Sequence, residues 1–144
     1  MNNLHNIRCL RYLLCCLILA LPLPAFSEVA VVVHPSNVSS FSDRDLKKIF
    51  LAKKKKFPAG GRAIVLRQKK GSPVKLQFIQ GLLNKSEHQL KAYWSRLIFT
   101  GKALPPKEIS DDAEMKRLVS ANPSIIGYID AASVDDSVKV VKIF

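Results

Sequence analysis

Two segments of the chain collect residues suited to holding an oxyanion. In residues 34–42 the side chains of Ser36, Asn37, Ser39 and Ser40 offer hydroxyl and amide donors. In residues 67–72, Arg67, Lys69 and Lys70 add positive charge beside the hydroxyl of Ser72. Each segment follows an apolar, β-branched run and leads into a helix start, where unpaired N–H groups and the helix dipole favour negative charge. Hydrogen bonds from cationic side chains to an oxyanion are the stronger kind. Ser42 and Ser72 also have a simpler reading, as ordinary helix N-caps.

Other chemistry is poorly represented. Beyond residue 27 the histidines are His34 and His88, and neither stands in a ligand-spaced cluster with acids. Cys9, Cys15 and Cys16 all precede residue 27, which leaves no thiolate nucleophile, disulfide framework or cysteine metal site after it. A nucleophile elbow, a phosphate-binding P-loop and a dinucleotide glycine fingerprint are absent from the sequence. The expectation is a protein without catalytic residues, metal or cofactor. Lys53, Lys54, Lys55 and Lys56 form a basic run that could meet phosphates through charge alone. Phe57 is the one ring beside it, so the run reads as a solvated turn with no specific nucleic-acid partner.

The elements that must position these residues amount to one domain. The chain has 144 residues, a formal charge of +12 and 48% hydrophobic content, too apolar for a basic disordered tail. Arg8 and Arg11, an apolar run over residues 12–21, and Ala25-Phe26-Ser27 spell a secretory signal peptide over residues 1–27, cut after Ser27. Its roughly ten apolar residues are about half of what a spanning helix needs. Removing these 27 residues takes away two arginines and no acid, so 117 residues with a charge of +10 remain, residues 28–144.

Residues 29–33 read as a first strand buried on both faces. Ser42 with Asp45 opens a helix carrying Leu46, Ile49 and Phe50 on one side, and residues 63–66 form a second strand. Ser72 and Pro73 start the next helix, with Leu76, Ile79 and Leu83 as its buried stripe. Ser86 with Gln89 opens a third helix that ends at Gly101, and a fourth begins near Ser110 or Asp111 and stops at Asn122-Pro123. Residues 125–129 and 138–143 complete the order β-α-β-α-α-α-β-β. The fold class is α/β, with helices over a mainly parallel sheet whose ligands bind beyond the carboxyl ends of the strands.

Leu46-x-x-Ile49-Phe50-Leu51-x-Lys53, then Phe57-x-x-Gly60 leading into Ile64-Val65, Arg67-x-x-x-Gly71-Ser72 and Ile126-Gly127-Tyr128, together resemble the exported phosphate-binding proteins of ABC transporters. The stretch at residues 92–102, which includes Tyr93-Trp94-Ser95-Arg96, is similar to small single-lobe members of that group. The resemblance implies one lobe of a type II periplasmic-binding-protein fold. It also implies that an arginine, a serine and a threonine would contact phosphate. Gly71-Ser72 matches the glycine-serine turn, the arginine position falls on Arg67 or Gln68 depending on register, and Val74 stands where the threonine hydroxyl would be. A lone lobe cannot enclose its ligand, so the implied partners are an ABC permease or membrane sensor and, to complete the cleft, a second copy of the chain.

The expected function is therefore that of a periplasmic solute-binding protein for phosphate or a similar oxyanion, accessory to phosphate uptake or sensing. The alternative is a non-catalytic envelope module that meets anionic polymers or surfaces through its basic face.

Overall fold

The computed structural model describes residues 27–144, so the expected leader lies outside the described residues apart from Ser27. The chain runs β1 (Val29–Val33), α1 (Asp43–Phe50), β2 (Ile64–Gln68), α2 (Pro73–Gly81), α3 (Glu87–Phe99), β3 (Lys107–Ile109), α4 (Asp112–Ala121), β4 (Ile125–Asp130) and β5 (Lys139–Ile143). The strands make one sheet in the order β3-β2-β4-β1-β5. β2 pairs parallel with β3 and β4, while β1 pairs antiparallel with β4 and β5. Four strands of this sheet thus run one way and β1 runs against them.

Local signals set most of the boundaries. The Ser42 hydroxyl accepts from the Asp45 N–H while the Asp45 carboxylate accepts from the Ser42 N–H, a reciprocal box that starts α1. Ser86 and Gln89 do the same for α3. Pro73 occupies the first turn of α2, where its missing N–H costs no helical bond. The order expected from sequence lacked β3, whose three residues follow two prolines and carry no alternating pattern long enough to read.

The sheet is covered on both faces. Val29, Val31 and Val33 join Ile126 and Tyr128 under α1, α2 and α3. Ala30 and Val32 turn the other way, with Ile125 and Ile129 against Met115 and Val119 of α4. All five residues of β1 are fully buried, as the unbroken apolar run predicts. Gly127 is needed where β4 passes under α4, because a Cβ there would run into the buried side chain of Met115. One expected stripe holds at Ile79 and Leu83, both buried, and fails at Leu76. On α2 the buried residues are Lys75, Phe78 and Ile79, whereas Leu76 is 41% exposed.

Candidate anion-binding cleft

The direction of β1 decides which candidate residues can meet. Val33, at the end of β1, lies opposite Ile126 near the start of β4, and Ile64 at the start of β2 lies beside Ile125. The loop after β1 therefore emerges at the opposite end of the sheet from the loop after β2. Ser36, Asn37, Ser39 and Ser40 are not brought together with Arg67, Gly71 and Ser72, as their matching strand-to-helix positions had suggested. Their polar groups serve the loop and the neighbouring turn before β2. The Ser39 N–H donates to the Asn37 side chain (2.8 Å), the Ser39 hydroxyl accepts from the Ala59 N–H (3.2 Å), and Ser36 Oγ lies 2.7 Å from His34 Nδ1. Ser40 is exposed.

The β2–α2 turn keeps its candidates close together. Gly71 has φ +83°, in the left-handed region that favours glycine, and it lets the chain reverse into α2. Ser72 caps that helix at long range, its hydroxyl 3.5 Å from the Lys75 N–H. Strand alternation sends Arg67 and Gln68 to opposite faces. Gln68 is 2% exposed, and its side-chain nitrogen donates to Asp112 Oδ1 (2.5 Å) and to the Tyr128 carbonyl (3.3 Å). The Gln68 N–H donates to the Tyr128 hydroxyl at 3.1 Å. Gln68 is thus a tie between β2, β4 and α4, and it faces away from the cleft.

Arg67 points to the side of α2 and α3. Its Nη2 stands 3.3 Å from Glu108 Oε1, the same oxygen that accepts from Lys75 Nζ at 3.0 Å. Arg67 Nε is buried with no partner among the described residues. Lys75 is only 7% exposed, which a lysine tolerates when a carboxylate receives its charge. Its hydrogen bond holds the Glu108 carboxyl below its ordinary value of 4.5, against the opposing effect of burial.

The sign of the pH effect follows. A depressed carboxyl pKa contributes stability that is complete above 4.5 and is lost as the pH falls through the lowered value. Glu108→Gln should cost about 1–2 kcal/mol at neutral pH, between an exposed and a buried pair because its side chain is 40% exposed. Urea unfolding at pH 7 and pH 3 should show wild type and variant converging in acid. A gap that is the same at both would remove the pair from the account.

These residues border a cleft of about 380 Å³ between α2 and α3. Arg67, Lys70, Lys75 and Lys91 line it together with two carboxylates, Glu87 and Glu108, so its charge is positive. Lys75, Glu108 and Lys91 were not singled out from the sequence. A lone lysine inside the apolar spacing of α2 was the available signal. Among the described residues no three His, Cys, Asp or Glu side chains are grouped closely enough to hold a metal ion, and no helix is long and apolar enough to cross a membrane.

No protein-family model and no curated protein matches the chain. Solved structures do. A phosphate ABC transporter substrate-binding protein with bound phosphate from Clostridium perfringens is similar with a TM-score of 0.63 and 22% identity, over 81% of this chain and 45% of that one. An ABC-type phosphate transport receptor from Vibrio cholerae gives 0.62 and 20%, over 81% and 46%. PstS from Borrelia burgdorferi gives 0.57 and 14%, over 81% and 47%. The chain spans less than half the length of each of these proteins. At these identities the likeness is one of fold, and the fold is the periplasmic-binding-protein type that the sequence resemblance implied.

Proposed function

We propose that the chain is an exported, non-catalytic binding domain that holds phosphate or a similar oxyanion at the β2–α2 turn, accessory to phosphate uptake or sensing. The observation that carries this reading is the convergence of Arg67, Lys70 and Lys75 on one positive cleft beside the Gly71-Ser72 turn. The start of α2 adds one backbone donor, the Val74 N–H, since Pro73 has none and the Lys75 N–H is capped by Ser72. The Clostridium perfringens neighbour, which carries bound phosphate, supports the choice of ligand. With one lobe the site stays open, so binding should be weak, with a dissociation constant on the order of 1 mM, unless a second copy or a permease or sensor covers it.

Export after cleavage at Ser27 belongs to the same proposal. The Ser27 hydroxyl meets the Asp130 carboxylate, but the sheet is engaged from Glu28 onward, through Ala131 N–H to Glu28 O (2.8 Å) and Val29 N–H to Phe144 O (3.0 Å). Cleavage there would leave all of β1 in place.

A second reading has its own observation. Lys53, Lys55, Lys56 and Arg62 are exposed near the end of the sheet away from the Gly71-Ser72 turn, and among the described residues no carboxylate pairs with them. Lys54 is the exception, with Asp45 at 2.9 Å. Such a patch suits an anionic polymer. Calorimetric titration with phosphate, sulfate and a polyanion at low and moderate salt separates the two readings. Phosphate heat that saturates at millimolar concentration and changes little with salt supports the oxyanion site. Polyanion binding alone, falling steeply with salt as counterions are released, supports the basic surface instead.

A further inference from the structure

We infer, on the footing of that oxyanion site, that the ligand of the α2–α3 cleft is a phosphate monoester bearing an apolar ring. The cleft is two-sided in chemistry. Three of its cations, Arg67, Lys70 and Lys75, gather where β2 enters α2 and the fourth, Lys91, stands on α3, while Ile79, Leu90, Trp94, Ile98 and Pro105 form an apolar floor and wall. Leu90, Trp94 and Ile98 lie one turn apart on α3, so this apolar strip is continuous along the helix.

Size argues the same way. A volume of about 380 Å³ is that of a site for a small organic molecule, for which about 300–1,000 Å³ is usual. A bare tetrahedral oxyanion fills only the cationic corner and leaves the outer end of the strip uncovered. Ile98 is 49% exposed at its rim. Glu108 already bridges Arg67 and Lys75 and partly neutralises them, so charge supplies only part of the affinity a ligand can draw from the cleft. A ring laid on Trp94 and Ile98 would add the burial of apolar surface that inorganic phosphate cannot supply.

Trp94 is the one tryptophan of the chain, so its fluorescence reports on this floor directly. The test titrates the protein with inorganic phosphate, phenyl phosphate and phenol, following Trp94 emission and heat. Phenyl phosphate should bind at least about tenfold more tightly than inorganic phosphate, a factor that corresponds to about 1.4 kcal/mol of ring burial. It should also change Trp94 emission, with phenol far weaker. Ile98→Ser, at the half-exposed rim, should reduce the advantage of the ring several-fold and leave inorganic phosphate unchanged. Equal affinities for phenyl and inorganic phosphate would overturn the inference while leaving the oxyanion site standing. Failure of both to bind would overturn both. An Ile98→Ser protein that keeps the full phenyl phosphate preference would also overturn it.

Discussion

Phe78→Ala should cost about 3–5 kcal/mol of stability, whereas Leu76→Ala, two residues away on the same helix, should stay within about 0.5 kcal/mol. Phe78 is 3% exposed and lies flat on Tyr128, with ring centroids 3.8 Å apart and an interplanar angle of 3°. The edge of Phe50 closes the cluster at 4.6 Å. Truncation leaves a cavity at the junction of α1, α2 and β4 that the stacked rings cannot fill by small shifts. The consequence reaches the site, because this contact presses α2, and with it Lys75, against the sheet. Urea denaturation of the two variants beside wild type decides the matter. A larger loss for Leu76→Ala would mean that α2 is rotated to bury Leu76, as its sequence spacing suggests.

Arg67→Gln should lower phosphate affinity by roughly 10- to 100-fold, the equivalent of one charge-assisted contact of about 1.5–3 kcal/mol. The loss should be specific to this side of the sheet. Gln68 lies on the opposite face with its amide committed to Asp112, so Gln68→Glu should act on stability more than on ligand affinity. Calorimetry on both variants, with unfolding curves as a control, checks the pair. Phosphate affinity unchanged in Arg67→Gln would take the cleft out of anion binding.

What could be read from the chain beforehand was local in its physics. The capping boxes at Ser42 and Ser86, the Ser72-Pro73 start and the Gly101 stop each involve residues within one helical turn, and all four stand in the structure. The direction of β1 is a different kind of fact. A run of buried valines looks the same in a parallel or antiparallel pairing, because both faces are covered either way. That ambiguity is why residues 34–42 and 67–72 could seem to share a site when they leave the sheet at opposite ends. Lys75 was hidden for a similar reason. Its burial depends on Glu108, more than thirty residues later in a three-residue strand that leaves no pattern of its own. The faces taken by Arg67 and Gln68 depend on which side of β2 meets α4, a matter of assembled layers that no local signal carries.

The account stands most directly on where phosphate touches the protein. A two-dimensional amide spectrum of the labelled protein, followed through a titration with inorganic phosphate, reads this residue by residue. Saturating shifts should gather at residues 67–75 and at Glu108, with residues 34–42 and 53–62 still. Shifts confined to the lysine turn or to the loop after β1, or a spectrum that does not change at high millimolar phosphate, would contradict the oxyanion site.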